Sequence, residues 1–281
     1  NKGLELELGY HTSVTSAFMA NINFNFSAIT NKVTAVPEGI DFLPGAQFSV
    51  GGDVATRFEE GYAIGYFHGY QTAGIFQTQE EIDNHSIEQD GAQPGDFIFV
   101  DQNGDGIISF GDNDDKTYLG SPIPDFVMGF NFNLSFKGMD LSANIYSAIG
   151  QEIIRNYERQ QPYANQLDYV IDRWVGPGTS YEDPRLTTGA TRNNVFSDYY
   201  VEDGSFIRLK NVQFGYTFPK KWTRKMKIES LRIYVAGNNL ITLNRYLGYD
   251  PEIGGGTLAS GVDFGFYPQA KSIMGGINIK F

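Results

Sequence analysis

The 281-residue chain contains no cysteine, which removes disulfide frameworks, thiolate metal sites and a cysteine nucleophile together. Positive charge is scarce: 21 Lys and Arg stand against 33 Asp and Glu, for a net charge of −12. That balance weighs against a nucleic-acid partner, because phosphates need clustered cations to replace their counterions. The one basic cluster, Lys220, Lys221, Arg224, Lys225 and Lys227, is short and reads as a solvated turn. No run approaches the ~20 consecutive apolar residues of a membrane-spanning helix, and the opening "NKGLELELGY" has no apolar signal core. Histidine is equally thin, with His11, His68 and His85 dispersed. No Ser-His-Asp order, phosphate-cradling loop or zinc spacing stands out, so the chain is read as a non-enzyme.

What is abundant is alternation. Phe18, Ala20, Ile22, Phe24, Phe26 and Ala28 share one parity against Asn21, Asn23, Asn25 and Ser27, the mark of a two-faced strand. "DFVMGFNFNLSF" repeats the pattern, with Phe126, Met128, Phe130, Phe132, Leu134 and Phe136 opposite Gly129, Asn131, Asn133 and Ser135. Leu4, Leu6, Leu8 and Tyr10 alternate with Glu5, Glu7 and Gly9, and Ile273 to Phe281 alternate at the chain end. In "SFIRLKNVQFGYTF" the apolar parity switches between Leu209 and Val212, which predicts a β-bulge near Lys210 and Asn211. Several runs hold phase for about ten residues, the length that crosses a bilayer at a tilt, whereas sandwich strands average ~5–6. Phe on one face and Asn, Ser, Gly and Glu on the other suit a barrel between lipid and a wet lumen.

Taking 4–12, 17–30, 124–136, 139–149, 205–217, 230–242 and 271–281 as wall strands gives seven. Short connections (13–16, 137–138, 218–229) alternate with long ones (31–123, 150–204, 243–270), the asymmetry of periplasmic turns against external loops. "EGYAIGYFHGY" (60–70) is strand-like, but counting it as wall would break that alternation, so it is assigned to the first long loop. Tyr199, Tyr200, Tyr234, Tyr246 and Tyr267 fall near predicted strand ends, where an interfacial aromatic girdle is expected. Bacterial barrels close with even counts of about eight or more strands, so seven imply a piece whose N-terminal portion lies elsewhere.

Two loop features carry candidate sites. On the EF-loop template "DQNGDGIISFGD" (101–112) puts Asp101, Asn103, Asp105, Ile107, Ser109 and Asp112 at ligand positions, with Gly106 at the bend and Asp for Glu at the last. Ca²⁺ is the ion that such hard oxygens would take; the same D-x-N-x-D-G chemistry also makes an ion-free turn. Flanking helices are missing. In "NYERQQPYANQLDYVIDRW" the spacing of Leu167, Val170, Ile171 and Trp174 predicts a helix within 150–204. Its aromatics Tyr157, Tyr163, Tyr169 and Trp174 are candidates to stack on substrate, or else to pack the loop.

Seven collinear stretches, among them "NKGLELEL", "PGDFIFVDQNGDGIISFGD", "YLGSPIPDFVMGFNFNLSFKGMDLS", "VEDGSFIRLKNVQFGYTFP" and "LRIYVAGNNLITLNRYLGYDPE", resemble the C-terminal portion of SusC/RagA-type TonB-dependent transporters. The resemblance implies an all-β fold: seven wall strands of a 22-stranded antiparallel transmembrane barrel with long external loops. It also implies an outer-membrane importer of glycans or peptides, a SusD-like surface lipoprotein over the loops, and coupling to TonB through an N-terminal part not in this sequence. The family carries the acidic motif at this place, which points to a structural role there. The rival readings are a TonB-independent porin or adhesin fragment and a soluble carbohydrate-binding β-sandwich.

Overall fold

The computed structural model describes residues 1–15, 18–49, 52–111, 114–158 and 167–281. Seven long strands form one antiparallel meander: β1 (Lys2–Thr15), β2 (Phe18–Thr30), β3 (Phe126–Phe136), β4 (Met139–Ile149), β5 (Phe206–Thr217), β6 (Ser230–Asn244) and β7 (Ser272–Lys280). Each lies beside its sequence neighbour within this set, and the sheet stays open, with β1 and β7 at its edges. These are the seven predicted wall strands, with ends shifted by up to three residues.

Cross-strand register keeps the two faces separate across the whole sheet. On one face a row runs Leu8, Phe24, Phe130, Ile145, Leu209 and Ile241. On the other, Asn23, Asn131, Asn144, Asn211, Asn238 and Ser272 form a transverse amide row. Asn211 donates to Asn238 at 2.7 Å and Asn238 to Ser272 at 2.9 Å, so the row is linked through side chains as well as backbone. Leu8 is 56% and Ile277 65% exposed: no described residue outside the sheet covers the apolar face at these positions. Among the described residues no helix is long and apolar enough to cross a membrane.

The predicted bulge is present. Leu209 and Asn211 are paired across Lys210 on both sides, and Asn239 opposite adopts a left-handed φ of 50°. One extra residue flips parity on β5, so Arg208, Lys210, Asn211 and Gln213 can all serve the polar side. At the short-connection end, Lys137 (φ 49°) and Gly138 (φ 88°) make the two-residue turn between β3 and β4, the primed geometry that matches strand twist.

At the other end the long connections fold together into a dome. A four-stranded sheet (Phe42–Pro44, Thr56–Glu59, Tyr66–Tyr70, Lys116–Gly120) and a small three-stranded one (Val201–Asp203, Glu152–Arg155, Val262–Asp263) flank two cores. Phe48, Ala55, Phe67, Ile154, Phe196, Tyr200 and Val262 build the first; Tyr70, Ile75, Phe97, Phe99 and Ile108 build the second. Residues 60–70 thus belong to the dome, as the strand alternation required.

Three expectations are corrected. The described part of 150–204 holds short 3₁₀ turns, Asp168–Asp172 and Asp198–Tyr200, in place of a longer helix. Trp174 is drawn instead to the second core, and "GPG" (176–178) stops any continuation. Tyr199, Tyr200 and Tyr246 are packed inside the dome rather than in a girdle, because their hydroxyls find partners there in Asp183, the Asn193 carbonyl and Asp263. Tyr234 lies on the polar face over Gly276, where a Cβ would come 2.4 Å from its ring.

Gly138→Ala puts a Cβ at φ 88° and 2.7 Å from the Thr217 carbonyl oxygen. The expected cost is about 1–2 kcal/mol, read as a lower urea midpoint for the refolded full-length barrel.

Candidate substrate vestibule

The dome is held by contacts between segments about a hundred residues apart. Asp96, buried in the first connection, accepts from Arg185 Nε at 2.6 Å and Nη2 at 3.1 Å, from Thr191 and from Asn193. Gln77 accepts from Trp174 Nε1 and the Gly178 amide, and donates to the Ser180 carbonyl. Asp198 accepts from Thr72, and Asn156 bonds Ser49 and Gln47. The third connection joins through Gly261, whose carbonyl accepts from the Ile154 amide, and through Thr56 to Leu258.

At the centre Arg155, 4% exposed, lies between aromatic rings. Its guanidinium sits 4.7 Å from the Tyr169 centroid, 5.0 Å from Tyr199 and 5.7 Å from Tyr200. It pairs with Glu158 and, at 3.0 Å, with Glu202. Burial disfavours its charge, but Glu158, Glu202 and the phenols outweigh that and hold its pKa above the ordinary arginine value. Burial pushes the Tyr157 phenol up to about 12 and raises Tyr169 further, with Glu158 adding to the shift. These rings are therefore neutral donors throughout the physiological range.

A second ionic cluster ties the barrel wall to the third connection. Arg208 on β5, 2% exposed, bonds Thr242, Asp250 and Glu252. Lys210, freed toward the polar side by the bulge, takes the same Glu252. Two cations meet two carboxylates, so the buried Arg208 charge is compensated. Asp250 also caps the amides of Glu252 and Gln269, which fixes the stem of that connection.

The predicted aromatic candidates do not form one face. Tyr157 and Tyr169 lie near Arg155, Trp174 pins the second core beneath Gly95, and Tyr163 lies outside the described residues. A Cβ on Gly95 would come 2.4 Å from the Trp174 ring. Rings that sequence reasoning missed form a stack: Tyr62, Tyr66 and Tyr118 lie within 17–22° of parallel, with Tyr66 buried, Tyr62 40% and Tyr118 49% exposed. No local signal marks them, since the sheet joins residues over fifty positions apart.

In the acidic loop the oxygens serve the loop's own backbone. Asp101 accepts from the amides of Gly104 (2.7 Å) and Gly106 (2.8 Å), Asn103 from Asp105, and Asp105 from Ile107 and the Asn103 amide side chain. Gly104 and Gly106 take φ of 79° and 87°. Ile107 bridges to Glu88 and the Ser109 amide donates to Asp115, while Asp112 lies outside the described residues. Among the described residues no group of three His, Cys, Asp or Glu converges as metal ligands, so the donor set as placed fits a self-satisfied turn.

Two outcomes follow. Asp96→Ala strands Arg185 against a partly buried surface and is expected to cost about 3 kcal/mol, seen as faster proteolysis of 167–200 with β-sheet content unchanged. The Gly106 and Gly104 bonds hold the Asp101 carboxyl below its ordinary value. Its stabilisation of the loop is thus present above the ordinary carboxylate range and lost as pH falls through the lowered folded value. Amide protection at Gly104 and Gly106 should fall with it, and Asp101→Asn should remove that pH dependence.

No family model matches the chain. TonB-dependent receptor P3 of Formosa agariphila is 33% identical over 292 residues, covering 100% of this chain and 28% of that protein. Receptor P26 of the same organism is 32% identical, with 29% of its length covered. TonB-dependent receptor SusC of Bacteroides thetaiotaomicron is 25% identical over the whole chain and 26% of its own length. The fold matches a chain in the structure of the RagAB peptide transporter with a TM-score of 0.74 at 22% identity, over 99% of this chain and 29% of that one. The chain spans under a third of the relatives it matches, and over its whole length it is homologous to a segment of TonB-dependent receptors, SusC among them.

Proposed function

We propose that this segment supplies part of the membrane wall and of the outer vestibule of a TonB-dependent nutrient importer in the bacterial outer membrane. The observation that carries the reading is the coincidence of two features. All three long connections pack into one dome at the same end of the sheet, and the sheet beneath has one continuous apolar face whose outer members, such as Leu8 and Ile277, no described residue covers. Lipid is the environment that satisfies that face, and the amide-lined opposite face suits a wet lumen. Glycan or peptide is the proposed cargo class, a SusD-like lipoprotein the proposed cap over the dome, and TonB the proposed source of opening energy through another part of the receptor.

The acidic loop is proposed as a staple of the dome, with Ca²⁺ as an optional occupant that would turn the Asp101, Asn103 and Asp105 oxygens from backbone amides to the ion. Chelator-sensitive stability of the intact receptor would establish the ion; identical melting with and without chelator would leave the staple alone.

Two tests address the main reading. Phe214→Lys, on the apolar face between Leu141 and Val235, should cost about 2–4 kcal/mol of barrel stability, whereas Gln213→Lys next to it should be tolerated. Equal effects would sink the lipid assignment. In cells carrying the full-length receptor, uptake of labelled oligosaccharide or oligopeptide should vanish when TonB is deleted; uptake that persists would favour a porin.

A further inference from the structure

Between Arg57 and Lys116 the chain carries thirteen Asp and Glu and not one Lys or Arg. Within that stretch the dome carries a half-open cavity of about 370 Å³, lined among others by buried Phe76, half-buried Ile82 and His85, and exposed Ser86 and Glu88, with Gly106 at one edge. Its walls are fixed from several sides. The short helix Gln79–Asp83 is capped by Thr78, which accepts from the Glu81 amide, and the His85 amide closes the next turn on Ile82. Glu88 is clamped by backbone bonds to Gly106 and Ile108, and Gln89 bonds the Phe97 carbonyl and the Phe99 amide. Asp101, which holds the Gly106 amide, thereby sets the cavity's edge.

Two polar groups at this cavity are not consumed by the fold. His85 Nε2 is buried without a hydrogen-bond partner, its ring standing edge-on to Phe76 at 5.2 Å. The Glu88 carboxylate takes no ion pair or side-chain hydrogen bond among the described residues, although its backbone is fully engaged. Around them lie apolar atoms of Phe76, Ile82 and Ile87. The volume is at the small end of ligand pockets, which start at about 300 Å³, so it admits a side-chain-sized group rather than a chain of sugar rings.

We propose that this cavity binds a primary ammonium on an aliphatic stem, as in a lysine side chain of a peptide. Glu88 supplies the countercharge, and His85, with its proton on Nδ1, offers the Nε2 lone pair to an ammonium N–H. Ile82, Ile87 and Phe76 cover the methylenes. An anion is disfavoured by the all-acidic stretch, and a metal ion lacks a third His, Cys, Asp or Glu ligand here. The site goes beyond the importer reading, because binding requires neither TonB nor transport.

The test is calorimetric titration of the detergent-purified full-length receptor with Nα-acetyl-lysine amide, Nα-acetyl-norleucine amide and glucose. The lysine derivative should bind, and the norleucine derivative, which keeps the stem and loses the charge, should bind at least roughly tenfold more weakly. Glu88→Gln should lose a similar factor while amide protection at Gly95 and Ile108, which bond Phe76 and Glu88, is retained. If Glu88→Gln disturbs that protection, the lysine-to-norleucine comparison on the unaltered receptor decides alone. Equal affinities for the two derivatives, no binding of either, or binding of glucose in their place would overturn the proposal. Binding without any cellular uptake would count against the importer reading and leave the site standing.

Discussion

Strand parity in a sheet with one apolar and one polar face is the constraint on which the rest of this structure depends. A strand's side chains alternate, so a one-residue slip exchanges its two faces entirely. Here seven strands must agree, and the row from Leu8 to Ile241 on one face and from Asn23 to Ser272 on the other shows that they do. The apolar row gains only partial burial from its strand neighbours, and its ends Leu8 and Ile241 stay 56% and 54% exposed. What fixes register instead is the backbone ladder, the amide bonds linking the polar row, and turns such as 137–138.

The parity break on β5 shows what such a break achieves. Regular alternation on β5 would send Lys210 and Arg208 to one face but leave Asn211 and Gln213 on the other. The bulge keeps all four on the polar side and lets Arg208 and Lys210 reach Asp250 and Glu252 in the third connection. A wall strand thus anchors the stem of a dome segment through ionic contacts that a straight strand would not offer.

The wall was legible in the sequence because its signal is local and periodic: Phe18 to Ala28 or Phe126 to Phe136 declare a strand without reference to anything else. Even the bulge could be placed, from the switch between Leu209 and Val212. The dome was not legible, because it is made of single long-range partners. Nothing near Asp96 announces Arg185, 89 positions away, and nothing near Arg155 announces that Tyr169, Tyr199 and Tyr200 will surround it. The helix expected around Trp174 failed for the same reason. Leu167, Val170, Ile171 and Trp174 have helical spacing, yet Ile171 ends 75% exposed and Trp174 goes to Gln77 and the second core. The acidic loop was legible as a turn, but its residue types alone did not reveal that Asp101 spends both oxygens on backbone amides.

Those amides connect the motif to the chemistry around it. Gly106 can turn at φ 87° because it lacks a side chain, and its carbonyl then receives the Glu88 amide while its own amide is held by Asp101. The backbone of Glu88 is thereby pinned on both sides, so its carboxylate is presented from a bridged backbone position in the connection. No Lys or Arg within the stretch between Arg57 and Lys116 competes for that carboxylate. The sharpest local motif of the sequence therefore acts through the residue it positions, and the acidic composition that marks a solvated surface also sets the electrostatic selectivity of the dome.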